Sequence, residues 1–196
     1  MGRTAELHRT TRETDISVVL DLDGTGKADI ATGVPFFDHM LDGFSRHGMF
    51  DLTVHAKGDV EVDAHHTVED CGIVLGQCFS AALGDCAGIV RYGSIALPMD
   101  EALVVAAVDV SGRGQAHCAV EVPAQRVGAF DTELAEEFWI AFASNAGLTL
   151  HLRSLAGRNA HHVLEASFKA AARALREAVS PDVRMAGQVP STKGVL

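Results

Sequence analysis

Two five-residue strings in this chain carry the residue types that hold divalent metals. His65-His66-Thr67-Val68-Glu69 recurs as His161-His162-Val163-Leu164-Glu165, 96 residues further on. Each string opens a run of apolar residues at helical spacing: Val68, Cys71, Leu75, Cys78, Phe79 and Ala82 in one case, Leu164, Phe168, Leu175 and Val179 in the other. Both are therefore predicted at helix starts. Successive helical side chains lie about 100° apart, so the first His and the Glu four residues on share a face while the middle His points elsewhere. One string can thus serve two metal ions. A single adjacent His pair would be read as surface or satisfied core; two copies with the same Glu spacing point to ligands. Imidazole nitrogen plus carboxylate oxygen, without matching thiolates, suits Mn(II), Fe(II), Co(II) or Zn(II) and disfavours Cu(I) and iron–sulfur sites, with Mn(II) gaining as the oxygen fraction rises.

The elements that must position these strings repeat as well. Thr4 to Thr14 reads as an extended edge strand and Ile16 to Leu20 as a strand, followed by a turn at Asp23-Gly24-Thr25-Gly26 and a hairpin through Ala28 to Ala31. Pro35 suits the first turn of a helix that ends near Arg46 at Gly48. Asp51 to Ala56 alternates as a strand, and the first His-His helix stops at Gly84. In the second half, Ala107-Val108-Asp109-Val110-Ser111-Gly112 resembles Val19-Leu20-Asp21-Leu22-Asp23-Gly24, Asp131 is an N-cap candidate, and the final helix ends before Pro181. Overlaying Glu136-Glu137-Phe138 on Asp38-His39-Met40 sets Glu137 opposite His39. The expected fold is α+β: one domain over 1–196, with half-repeats at about 1–88 and 89–180 and then a C-terminal tail.

Bulk properties narrow the partners. With 196 residues and 47% hydrophobic content, the chain suits one well-buried domain. A net charge of −10 without a Lys/Arg cluster argues against nucleic acid and anionic membranes as partners and favours a small molecule. The apolar run Ala102 to Val108 is too short to span a bilayer and Gly2 to Asp15 lacks a signal core, so a soluble, cytoplasmic protein is expected. Cys71, Cys78, Cys86 and Cys118 fit neither a metal quartet nor a disulfide scaffold and are expected as buried thiols. Ten histidines, against one Trp and one Tyr, imply that imidazole has a use.

Pseudo-twofold symmetry suggests two metals: His161 and Glu165 with His66 on one, and His65 and Glu69 with His162 on the other. His39 and Glu137 are the matching fourth ligands. Four strings, Pro35-Phe36-Phe37-Asp38-His39-Met40-Leu41, Asp63 to Asp70, Pro98-Met99-Asp100-Glu101 and Pro190 to Leu196, make the chain resemble imidazoleglycerol-phosphate dehydratases over nearly its whole length. That resemblance implies helices bundled between two sheets and dehydration of D-erythro-imidazole glycerol phosphate to imidazole acetol phosphate in histidine biosynthesis. It implies two Mn(II) per active site, bridging the ring and stabilising an imidazolate-like intermediate, and a 24-subunit homo-oligomer with active sites between subunits. The family's ligands fall on His39, His66, His161 and Glu165 for one metal and on His65, Glu69 and His162 for the other; where several members have a further His, this chain has Glu137. Glu13 is implied as an acid/base group also touching substrate, with Asp100 and Glu101 nearby. The phosphate end is implied to meet Arg91, Arg113, Ser191, Thr192 and Lys193, with Lys169 as a further substrate-facing candidate. Outside the resemblance, these residues read as solvated charges, turn residues and tail.

Two other readings use the same ligands. A metal-storage or metal-assembled structural protein needs no phosphate-binding cations, and a two-metal hydrolase uses bound water as nucleophile.

Overall fold

The computed structural model describes residues 2–196, and its strands fall into two four-stranded sheets with the same plan. In the first, β1 (Thr4–Thr10) pairs antiparallel with β2 (Thr14–Asp21), which pairs antiparallel with β4 (Asp51–Gly58). On the far side of β4, β3 (Ala28–Ala31) runs parallel to it. The second sheet repeats each relation with β5 (Tyr92–Met99), β6 (Ala102–Asp109), β10 (Thr149–Ala156) and β7 (Gln115–Ala119). Alternation sets which face is dry: Ile16, Val18 and Leu20 on β2, and Val104, Ala106 and Val108 on β6, point into the core.

Four helices lie between the sheets, two from each half: α1 (Pro35–Gly48), α2 (His65–Leu83), α3 (Leu134–Ala146) and α4 (Ala160–Val179). Helix α2 covers the first sheet and α4 the second, while α2 packs on α3 and α1 packs on α4. Aromatic side chains of α3 tie the four together. Phe138 stacks on Phe168 of α4 at 5.4 Å and meets Phe37 of α1 edge-on at 5.3 Å; Phe142 meets Phe79 of α2 at 5.6 Å. Each fully buried ring of this kind is worth about 1.5–3 kcal/mol of transfer free energy.

Three local expectations change. Ala28 to Ala31 forms no hairpin, because β4 lies between it and β2 and the strand pairs in parallel. Helix α1 continues through Gly48 and the left-handed residue is Met49 at φ 59°; a Cβ on Gly48 would strike the Phe50 ring. Asp131 does not cap α3, since it pairs with Arg126 in the hairpin of β8 (Arg126–Val127) and β9 (Phe130–Asp131). Cys71 and Cys78 are buried free thiols as expected, whereas Cys86 and Cys118 are only partly buried. Among the described residues, no helix is long and apolar enough to cross a membrane.

Glycines bring α2 against α3. A Cβ at Gly72 would lie 2.7 Å from the Phe138 carbonyl oxygen, and one at Gly76 would lie 2.5 Å from that of Phe142. Gly72→Ala or Gly76→Ala should therefore destabilise the protein by about 1–3 kcal/mol, although Ala is the better helix former. Chemical denaturation measures this, and a gain in stability would contradict the close packing.

Candidate active site

Helices α1 and α4 run parallel, so their first turns meet. Pro35 opens α1, placing His39 one turn in, and the Asn159 side chain caps α4 by accepting the His161 N–H at 3.0 Å. His161 Nε2 lies 3.0 Å from Glu165 Oε2, and His39 Nε2 lies 3.5 Å from the same oxygen. One ligand atom from each of the three falls within 4.8 Å of the others, the only such group among the described residues. Two imidazole nitrogens and a carboxylate oxygen, open to solvent on the histidine side, match the donor set of a first-row divalent ion. Burial pushes the Glu165 carboxyl up, but Lys169, whose Nζ lies 2.6 Å from Oε1, together with His39 and His161 outweighs it and holds the group below its ordinary range. Glu165 is thus favoured as a carboxylate, the form able to bind a cation.

The other half repeats this with one substitution. Helices α2 and α3 are also parallel, since Gly72 faces Phe138 and Ala141 while Gly76 faces Phe142 and Asn145. One turn back toward both N-termini, that register sets Glu69 level with Glu137, as Glu165 is level with His39. His65 Nε2 stands 4.0 Å from Glu69 Oε2, and Glu137 is half-buried. These donors do not close as tightly as His39, His161 and Glu165.

The middle histidines point away from both groups, as the 100° step requires. His66 Nδ1 meets Asp59 at 3.0 Å and Glu13 at 3.9 Å. His162 Nδ1 meets Glu101 at 2.8 Å, and its Nε2 lies 3.7 Å from Asp100. Hydrogen bonding to Asp59 raises the pKa of His66, and hydrogen bonding to Glu101 raises that of His162 while lowering Glu101 to about 2. Glu101 also accepts the N–H groups of Arg158 and Asn159, so it anchors the start of α4. Asp59 was missed as a site neighbour; its position in the turn before the first motif was the available signal. Within one chain, then, His66 does not join His161 and Glu165, nor His162 join His65 and Glu69.

A separate cleft of about 880 Å³ gathers Arg91, Arg113 and the consecutive Ser191, Thr192 and Lys193, from three separate stretches of the sequence. Arg91 is held in the left-handed region at φ 77°, with its N–H donating to the Ala178 carbonyl at 2.7 Å and its own carbonyl accepting from Val110 at 3.1 Å. Asp109, not selected from the sequence as a site residue, holds both arginines. Lys169 lies outside this cleft, on Glu165. His117 and His151 stack at 4.5 Å on neighbouring strands, away from both ligand groups.

A family model described as imidazoleglycerol-phosphate dehydratase matches residues 32–175. The imidazoleglycerol-phosphate dehydratase of Acidiphilium cryptum is 61% identical, with both chains covered in full, and that of Gluconacetobacter diazotrophicus is 59% identical over all of this chain and 98% of the relative. Among solved structures, the Staphylococcus aureus enzyme superposes with a TM-score of 0.83 at 39% identity, covering 91% of this chain and 99% of that one. The Pyrococcus furiosus enzyme, solved in complex with (S)-C348, gives 0.84 at 37% identity, covering 97% and 100%. With its duplicated α+β fold, the chain belongs to the imidazoleglycerol-phosphate dehydratase family, hydro-lyases of histidine biosynthesis.

Proposed function

We propose that this chain dehydrates D-erythro-imidazole glycerol phosphate to imidazole acetol phosphate at a site holding two Mn(II). The observation that carries this reading is the convergence of His39, His161 and Glu165, with His65, Glu69 and Glu137 in the corresponding register of the other half. His66 would complete the first set and His162 the second. Both middle histidines face carboxylates on their own chain, which supports their being supplied to the metals of neighbouring copies, in a homo-oligomer of 24 subunits with active sites between them. A biosynthetic enzyme of this kind acts in the cytoplasm.

When bound, the cations would supply Lewis acidity toward the imidazole ring of the substrate, worth on the order of several kcal/mol of barrier. The protein's own groups move protons and hold the other end. Loss of water needs one group to take a carbon-bound proton and another to protonate the departing hydroxyl. Glu13, near His66, and Asp100 and Glu101, near His162, are the candidates for those transfers, a reading their proximity to the histidines supports. Arg113, Lys193, Ser191 and Thr192 offer the donors that suit a phosphate.

Stripping the metals with a chelator should abolish turnover and Mn(II) should restore it; full activity in demetallated protein would refute the reading. Ligand histidines must be neutral, and the raised pKa values of His66 and His162 keep protons on them as pH falls. Metal content at equal free Mn(II) should therefore be lower at pH 6 than at pH 8. Glu137→Ala should empty one metal position in preference to the other, which anomalous scattering resolves; equal occupancy would make Glu137 a solvent-facing residue. Lys193→Ala should raise KM for the phosphorylated substrate by about tenfold or more, the size of one charged hydrogen bond, and unchanged steady-state kinetics would remove Lys193 from the phosphate end.

A further inference from the structure

The carboxylate of Asp109 stands behind two arginines that line this cleft, and the reading above gives it no part. Asp109 ends β6, opposite Tyr92 of β5 on one side and Thr149 of β10 on the other. Its Oδ1 accepts from Arg91 Nε at 2.7 Å, and its Oδ2 accepts from Arg91 Nη2 at 3.3 Å and from Arg113 Nη2 at 3.4 Å. Both partners of the first pair are largely buried, the side chains being 12% and 20% exposed for Arg91 and Asp109. A two-point guanidinium–carboxylate fork in such a setting fixes direction as well as distance. Arg91 spends its remaining terminal nitrogen on the Pro190 carbonyl, with Nη1 at 2.7 Å. Pro190 is the residue immediately before Ser191-Thr192-Lys193. One carboxylate thereby sets two guanidinium groups and, through one of them, the start of the tail.

The first half shows what the same position does without those partners. Among the described residues, Asp21, at the matching end of β2, accepts only the Asp23 N–H from two residues on. Arg3 stands before β1 as Arg91 stands before β5, its carbonyl accepting from Leu22 as that of Arg91 accepts from Val110, but its guanidinium turns to Asp23 at 3.0 Å rather than to Asp21.

We infer that Asp109 is a positioning residue for the phosphate end of the substrate: it holds Arg91 as a strut for the C-terminal tail and orients Arg113 beside it. The inference rests on the phosphate reading of this cleft. Arg91, Arg113, which is 60% exposed, and Lys193 line the cleft and present the cationic donors to the anion. Removing the Asp109 charge releases both guanidinium groups and lets the tail swing from the cleft.

The test is Asp109→Asn in the metal-loaded enzyme, assayed beside Lys193→Ala. Asp109→Asn should raise KM about tenfold or more with kcat within about threefold, because the loss falls on binding rather than on the chemical step. Competitive inhibition by inorganic phosphate should weaken in parallel, and trypsin should cut after Lys193 faster than in the parent enzyme. If Lys193→Ala leaves both KM and phosphate inhibition unchanged, the phosphate reading of the cleft fails. If Lys193→Ala raises KM while Asp109→Asn alters neither KM, phosphate inhibition nor tryptic cleavage, the positioning role alone is overturned. Should Asp109→Asn fail to fold, Asp109→Glu keeps the charge at a longer reach; it should fold and give an intermediate KM, and a fall in kcat with native KM would overturn the role.

Discussion

The His and Glu groups of this molecule depend on helices packed in parallel, first turn beside first turn. A histidine one turn into α1 can meet a His-x-x-x-Glu set at the start of α4 only if both helices run the same way, and the same holds for α3 and α2. Parallel neighbours do not follow from a short loop, which joins helices antiparallel. Here each sheet supplies the return path: a strand follows α1 and α3 and brings the chain back to the end where the next helix begins. Glycines on α2 and the aromatic centre of α3 then set the separation. Of the three carboxylates in these groups, Glu137 lies in a first turn, where the helix dipole favours negative charge.

The described charges are spent mainly on one another. Glu165 faces Lys169 and two histidines, Glu101 faces His162 and two backbone N–H groups at the start of α4, and Asp70 binds Arg9 at 2.7 Å and the Thr14 hydroxyl, holding the loop that carries Glu13 against α2. Each pairing keeps an ionised group in place without a metal or substrate present. Such pre-set carboxylates and guanidiniums need less reorganisation when a charged ligand arrives.

The duplication is instructive where it breaks. The link from β3 to α1 is short, whereas the link from β7 to α3 carries the β8–β9 hairpin, and its Arg126–Asp131 pair takes the aspartate that would otherwise cap α3. His39 and Glu137 occupy matching positions with different donors. Asp21 and Asp109 share a strand end, yet only Asp109 faces arginines. Repeated backbone has thus been kept for geometry while individual side chains diverged in their tasks.

How far the sequence could be read follows from the range of the forces involved. Periodicity, proline and glycine marked the helices, and the doubled His-His-x-x-Glu marked both the candidate ligands and the symmetry, because spacing along a helix is local geometry. The four strings shared with the dehydratase family made the reaction legible without any coordinates. Local signals misled at Ala28 to Ala31 and at Asp131, where a competing partner distant in sequence won. What lay outside the sequence were relations set by packing: the parallel register that sets Glu137 level with Glu69, the turning of His66 and His162 toward carboxylates, and the fork of Asp109. By itself the sequence determined which residues are candidate metal ligands, since that is a property of residue type and spacing, while the candidates for the phosphate end came only through the family resemblance. Tertiary structure alone decided which of them meet, because only packing converts distant positions into a common site.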